Sequence, residues 1–298
     1  MLSANAIDFV QSRPWLRGAL ALPRAVGRQL ISFPPILTTS GSDVIARIND
    51  LVKADIRIAA TDYEGEFMIG PRSHILAAIL DTGHFEEAVA RLASSLVDPD
   101  RDVIDVGANI GLYTVLTARR LNAGRVLAAE PTGAAFARLQ ANLAINGVTE
   151  RVILFKGLLG KSQGDGSINV IPGREEYSSV GTLVHPSIAG EVSNIEQVPA
   201  TTIDQLVEQH DLSPALIKID VEGGEEAVLD GARETLARHR PVILSEFAAV
   251  LLAQCGSTPR GLLEKFDKWG YDVRDAFGRD IAVDGMECSE IIATPRQL

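Results

Sequence analysis

VIDVGANIGLYT, residues 103–114, decides the fold of this chain. A run of small apolar residues carries one acid, Asp105, turns through Gly107 and Gly111, and enters an apolar-periodic segment. That succession predicts a buried strand, a tight turn and a helix N-terminus. Glycines let the backbone of such a turn approach a ligand closely, and the first helical turn has N–H groups without intrahelical partners. The next predicted strand, Arg125–Glu130, ends in an acid about 20 residues further on, where a carboxylate can accept both hydroxyls of a ribose. The turn is not the dinucleotide-binding pattern, because an acid stands at its first glycine position. A pyrophosphate would be repelled there, whereas a cationic or zwitterionic ligand is favoured. S-adenosylmethionine, with a sulfonium, an ammonium and no phosphate, meets that requirement. The structural alternatives are a turn cap for Asp105 and a solvated strand end for Glu130.

Outward from this stretch, strand and helix patterns alternate. Helix Gly111–Leu121 follows the first strand, and a helix from about Gly133 to Ile145 follows the second, with Asn146-Gly147 as its stop. Strand Val152–Leu159, a short helix Thr202–His210, strand Leu216–Asp220 and helix Glu225–Arg238 come next. Strand Val242–Phe247, helix Pro259–Trp269 and strands Tyr271–Ala276 and Glu290–Ala293 complete the series. Such alternation predicts an α/β fold: a Rossmann-like, mostly parallel sheet with helices on both faces. Ahead of it, Ile56 to Ile69 reads as extended chain turning at Tyr63-Glu64-Gly65-Glu66, and Ile75–Leu80 and Phe85–Leu96 as helices. The domain reading is an N-terminal helical and extended extension over residues 1–80 and a main domain over 81–298. An insertion at about 160–195, rich in Gly and Ser, is too long for an ordinary connection.

Composition narrows the classes. The chain has 298 residues, 46% hydrophobic and 22% charged, enough for a sizeable core. A net charge of −11 argues against a nucleic-acid substrate, which needs basic faces. Two distant cysteines, Cys255 and Cys288, form no CxxC pair, so a disulfide framework is not expected and a reducing compartment is. No apolar run reaches the roughly 18 residues of a membrane span, and no signal-peptide pattern opens the chain. The expected location is cytoplasmic. Arg13, Arg17, Arg24 and Arg28 lie among leucines and prolines in an acid-free stretch. It reads as a short arm packed on the main domain or on a second copy of the chain, the route to a homo-oligomer. The alternative is a basic segment touching a membrane surface or an acidic partner.

Five stretches together carry a family resemblance: VIDVGANIGLYT (103–114), AEP (129–131), TTIDQL (201–206), IKIDVEGGEEAVLDGA (217–232) and RPVILSEF (240–247). On these the chain resembles the class I S-adenosylmethionine-dependent methyltransferases, and more narrowly the FkbM family, over about residues 80–295. The resemblance implies a seven-stranded sheet with one antiparallel strand, and methyl transfer to oxygen. It implies that Asp105, Gly107, Ala108, Asn109, Gly111 and Glu130 hold the cofactor, with Gly157 and Leu158 near the adenine. Glu86, in GHFEE, matches an acid common in the family, whose role would be to meet the methionine ammonium; a solvated helix face is the alternative. One departure is Lys156, where the family pattern has a small polar residue such as Asn.

A second constellation, Lys218-Ile219-Asp220-Val221-Glu222-Gly223, ends a strand. Alternation sends Lys218 and Asp220 to one side, and the carboxyl end of an open α/β sheet is where ligands bind. Methylating a hydroxyl needs alignment and removal of a proton, since the cofactor brings the methyl. Asp220 is the candidate base or orienter, with Lys218 tuning its charge and Glu222 as alternative base. The structural alternative is a Lys218–Glu222 ion pair with Glu222 capping the helix. Glu246, ending the next strand, lies beside Asp220 and extends the catalytic set. No metal is expected, the weaker alternative being a divalent ion on Asp220 and Glu246, as in catechol-type enzymes. Of the five histidines only His185, in the insertion, is a candidate near a substrate. The expected acceptor is a small molecule or glycan. The Asp-Val-Glu-Gly stretch replaces the tetrad of amino-group nucleic-acid methylases, so no nucleic acid is expected; the alternatives are a nucleic-acid or protein methyltransferase and an inactive cofactor-binding scaffold, the latter opposed by the intact acids at 105, 130, 220 and 246.

Overall fold

The computed structural model describes residues 54–181, 188, 190–278, 281 and 288–297. The basic N-terminal stretch and His185 lie outside the described residues. The chain divides into two compact units, Met1–Glu87 and Ala88–Leu298.

In the first unit, strands β1 (Ile56–Ala60) and β2 (Gly65–Ile69) form the expected antiparallel hairpin, Ile56 facing Ile69 and Ala60 facing Gly65. A single 3-10 turn, Thr61–Tyr63, joins them and buries the Tyr63 ring edge-on to Phe67. Helix His74–Thr82 follows. Ser73 caps it by accepting the Ile75 N–H, and Gly83 ends it with φ 87°.

The second unit is built on a seven-stranded sheet. Its strands are β3 (Asp102–Val106), β4 (Val126–Ala129), β5 (Val152–Phe155), β9 (Pro214–Ile219), β10 (Val242–Ala248), β11 (Tyr271–Asp275) and β12 (Cys288–Pro295), in the order β11-β12-β10-β9-β3-β4-β5. The chain runs parallel from β10 through β5, and β12 alone is antiparallel to its neighbours. This is the α/β architecture that the resemblance implied. Strand β3 is central and buried at every position, so it reads as a continuous apolar run interrupted only by acids. One of those acids, Asp102, pins its start: Oδ1 accepts the Arg125 N–H at 2.8 Å and Oδ2 the Ser213 N–H at 2.6 Å. The strand is thereby held to both neighbours before it enters the core of Ile104, Leu127, Ile217, Ile243 and Phe247.

Three expectations needed correction. The strand expected over Val152–Leu159 is two, β5 and β6 (Leu158–Leu159), because Gly157 is a bend wedged 2.4 Å, at its would-be Cβ, from the Pro199 carbonyl. The helix expected over Glu225–Arg238 is two, Glu225–Asp230 and Arg233–His239. They break at Gly231, whose would-be Cβ lies 2.0 Å from the Gly160 carbonyl. The insertion is not a bare loop. Strands β7 (Gly164–Val170) and β8 (Asn194–Thr201) make a three-stranded sheet with β6, filled by Ile168, Val170, Val198 and Leu158. Its apolar residues alternate singly among Gly, Ser and Asp, the period of a one-sided strand rather than a buried one. Helix Ala249–Gln254 was not anticipated.

Gly107 decides how closely the first turn lies on the end of β9. It has φ +77°, and a Cβ there would sit 1.8 Å from the Asp220 carbonyl oxygen. Left-handed backbone alone costs an L-residue about 1–2 kcal/mol, and the carbonyl must also retreat. Gly107→Ala is therefore expected to lower Tm by about 3 °C or more, read by thermal unfolding.

Candidate active site

The turn after β3 is stitched to β4. Gly107 and Ala108 both donate to the Ala129 carbonyl, at 3.0 and 2.9 Å, and Asn109 donates to Glu130 Oε2 at 2.9 Å. Asn109 takes the left-handed conformation, φ 49°, which its short polar side chain tolerates. Helix Gly133–Ile145 holds the turn from the other side. Asn142 Nδ2 donates to the Ile110 carbonyl at 2.8 Å, and Leu139 fills the space beside Gly111. The N–H groups of Gly107, Ala108, Asn109 and Gly111 are thus spent on shaping the loop. What it offers a ligand is backbone surface without side chains, rimmed by two carboxylates.

Those carboxylates are Asp105 and Glu130, and both are buried. Asp105 Oδ2 accepts the Thr114 hydroxyl at 2.5 Å, and the Thr114 backbone bonds to it as well, so Asp105 does cap the helix. Its Oδ1 is buried with no hydrogen-bond partner. Burial raises its pKa, opposed chiefly by the Lys218 charge. Glu130 is 5% exposed, which overturns the solvated strand end. It accepts from Asn109, Thr132 N and Thr132 Oγ1. Burial nonetheless pushes its pKa up to about 7.

The second constellation meets the first across the sheet. Parallel pairing of β3 with β9 sets Asp105 opposite Lys218. Lys218 Nζ lies 3.0 Å from Asp220 Oδ2 and 4.3 Å from the centre of the Tyr113 ring. The ammonium is almost buried, and its charge is met by the Asp220 carboxylate and an aromatic face. Lys218 therefore reaches Asp220, and the Gly223 N–H at the helix entrance goes to Glu225 Oε1 at 3.1 Å rather than to Glu222. Glu246 follows Ser245, the partner of Ile219, so it stands beside Asp220 on the same side. Glu222 has φ 54° and is half-buried. Burial first, and then the charges of Asp220, Glu246, Glu225 and Glu176, raise its pKa to about 9. The insertion reaches this corner through Ser179 Oγ, which donates to the Glu222 carbonyl at 3.0 Å.

Asp105, Gly107, Asn109, Gly111, Glu130, Lys218, Asp220, Glu222 and Glu246 thus gather at the carboxyl ends of β3, β4, β9 and β10. Gly157 and Leu158 lie beyond β5, and Leu158 gives its side chain to the small core of the insertion sheet. The Lys156 ammonium sits 6.0 Å from the centre of the Phe136 ring. Glu86 belongs to the first unit, at a left-handed position with φ 48°. Among the described residues, a group of three whose ligating atoms could converge on a metal is Asp62, His84 and Glu87, also in the first unit. Sequence reasoning missed Tyr113, Thr114, Asn142, Thr132 and Glu225. Thr114 and Thr132 had a signal, a hydroxyl residue at a helix start after a buried acid; Tyr113 and Asn142 had none.

The residues present fit S-adenosylmethionine. An unpartnered buried oxygen on Asp105 calls for a donor or cation, the turn has no room for side chains at Gly107, and Glu130 Oε2, which accepts from Asn109 alone, has a lone pair left for a hydroxyl. Comparison with known proteins agrees on the class. The methyltransferase FkbM domain matches residues 105–273, more than half of the chain, and the protein belongs to that family. It is a class I methyltransferase by fold, and S-adenosylmethionine is its cofactor. The chain is 31% identical over 170 residues to the hexuronic acid methyltransferase AglP of Haloferax volcanii, covering 55% of this chain and 64% of that one. It is 27% identical over 181 residues to the antimetabolite synthetase AmbE of Pseudomonas aeruginosa, covering 50% of this chain and 8% of that one. The chain thus spans less than two thirds of either relative. Among solved structures, an FkbM methyltransferase from Methylobacillus flagellatus superposes with a TM-score of 0.43 at 17% identity, covering 74% of this chain and 52% of that one. No helix among the described residues is long and apolar enough to cross a membrane.

The buried acids dictate a pH response. Glu130 and Glu225, at about 7, and Glu222, at about 9, hold protons in the fold that the unfolded chain releases near 4.5. Their contribution is complete below about 4.5 and is lost as pH rises through these higher values. His239, lowered by burial, acts in the opposite sense only below 6.5. The cofactor-free protein should therefore lose Tm steadily from pH 6.5 to 9. Glu130→Gln should flatten the lower part of that fall in a pH series of melts.

Proposed function

We propose that this protein methylates a hydroxyl group of a small molecule or glycan, a sugar first among them, in the cytoplasm. The observation that carries the reading is the Lys218–Asp220 pair at the end of β9, with the Asp220 backbone against Gly107. When bound, S-adenosylmethionine supplies an electrophilic methyl on a positively charged sulfur that leaves as a thioether. The protein must hold the acceptor oxygen in line and take its proton. Asp220 is the base: its carboxylate is half exposed at the strand end, and Lys218 fixes its orientation. Glu222, holding a proton to about pH 9, serves as a donor to the acceptor rather than as a base near neutrality. Glu246 borders the acceptor from the neighbouring strand. The archaeal relative, named for hexuronic acid, supports a sugar acceptor, and the two isolated cysteines support a reducing compartment.

Glu130 and Asp105 position the cofactor, Glu130 through the ribose hydroxyls and Asp105 through its open oxygen. Because a carboxylate accepts those hydroxyls better than a carboxylic acid, ionising Glu130 favours binding. In isothermal titration S-adenosylhomocysteine is expected to bind while NAD does not. Its affinity should rise from pH 6 to 8, and Glu130→Ala should weaken it at least tenfold; absence of binding by the unaltered protein would sink the reading.

With an acceptor in hand, Asp220→Asn should lower kcat about 10²-fold or more and leave S-adenosylhomocysteine affinity within a few-fold. Full turnover by that variant would remove Asp220 as base. Loss of activity on adding EDTA, restored by magnesium, would instead favour a metal on Asp220 and Glu246.

A further inference from the structure

Outside the methyl-transfer site, three ligating side chains of the first unit converge. The turn between β1 and β2 carries Asp62, beside the fully buried Tyr63 that anchors the turn. His84 follows the Gly83 cap of helix His74–Thr82, and Glu87 opens the next helix. His84 Nδ1 lies 3.0 Å from Asp62 Oδ1 and 3.8 Å from Glu87 Oε2, and the three ligating atoms are all within 4.8 Å of one another. Donor atoms around a tetrahedral zinc ion, on bonds of about 2.0–2.1 Å, stand about 3.4 Å apart. Small side-chain adjustments therefore seat the ion. The ligands are also set from behind. Asp62 Oδ2 accepts the Phe85 N–H at 3.1 Å, leaving Oδ1 turned to His84, and Thr82 Oγ1 accepts the His84 N–H at 3.1 Å. Hydrogen bonds of this kind orient a ligating group toward a metal.

Charge distinguishes a metal site here from a plain ion pair. An Asp62–His84 pair is complete with two groups. Glu87 brings a second carboxylate to the same point, and two carboxylates against one imidazolium leave the trio negative. The Asp62 side chain is only 7% exposed, so that excess is poorly screened by water. A divalent cation balances both carboxylates and takes the imidazole lone pair as well. One nitrogen with two oxygens favours zinc over magnesium or calcium, which take oxygen ligands. We propose that Asp62, His84 and Glu87 bind one zinc ion, with a fourth position open to water, and that the ion ties the hairpin turn to the exit of helix His74–Thr82. On binding, a neutral His84 carries its proton on Nε2, and a charged one releases the Nδ1 proton to solvent. The site is independent of the methyltransferase reading and of any ion on Asp220 and Glu246.

The test titrates the tag-free full chain, stripped with EDTA and dialysed, with zinc chloride and separately with magnesium chloride near neutral pH. Calorimetry reads affinity and stoichiometry, and thermal melts read stability. Cobalt(II) in place of zinc reads the coordination by its visible absorption. One zinc is expected per chain, with a rise in Tm on saturation and the strong cobalt bands of a site with few ligands. His84→Ala should weaken zinc binding at least tenfold. Glu87→Gln, a change on a partly exposed side chain, should weaken it severalfold while leaving the metal-free melt unchanged, and it keeps the test valid should the His84 variant fold poorly. Absence of zinc binding by the unaltered chain overturns the proposal. So does zinc binding that both variants retain in full, because the ion then sits on other histidines or cysteines. Magnesium bound as tightly as zinc overturns it too, since the donor set would then not be the one recognised.

Discussion

One buried ammonium holds the site together. Lys218 sits where β3 and β9 run side by side, opposite Asp105, in contact with Asp220 and under the Tyr113 ring. Without it, Asp105 and Asp220 would be two like charges at the centre of a sheet, one of them fully buried. Removing one partner of such a pair strands the other in a medium that solvates it badly. The cation therefore couples the donor side of the site, built on the first turn, to the acceptor side, built on the end of β9. Asp102 and Gly107 complete the coupling. The first locks the start of β3 to both neighbours, and the second lets the turn rest on the Asp220 carbonyl.

Around that cation the carboxylates are sorted by environment. Asp105 and Glu130 are buried but bonded, each to a threonine that follows it in the chain, and each keeps some capacity for a ligand. Asp220 is half exposed and paired. Glu222 and Glu225 are held away from water and near other acids, and so hold protons at higher pH than a free carboxyl does. A single fold thus presents ionised acids, which bind cations or take protons, beside protonated ones, which donate hydrogen bonds. The division follows from burial and neighbours, since the residue types are the same.

The mostly parallel sheet and the meeting of Asp105, Glu130 and Asp220 were legible because apolar period, glycine turns and strand-end acids are local signals, whereas the single antiparallel strand was implied by the family resemblance alone. The second sheet was not legible. Ile168, Val170 and Val198 are spaced singly in a polar context, and only pairing between β7 and β8 turns them into a core. The loop N–H groups were expected to face a ligand. Those of Gly107, Ala108 and Asn109 bond instead to Ala129 and Glu130, acceptors on or just after a different strand that no inspection of the turn alone would supply.

By itself the sequence determined the order of strands and helices, the turn that cannot take a side chain, and which acids end which strands, because each is a property of a short segment. Tertiary structure decided the partners. Lys218 went to Asp220 rather than Glu222, and Asp105 became helix cap and open acceptor at once. Glu222, Glu225, Glu246 and Glu176 came from three separate stretches to share one corner. Charge–charge energies depend on distance through the fold, not along the chain, and that is why VIDVGANIGLYT announced a ligand while the acidic corner opposite it emerged only from the packing.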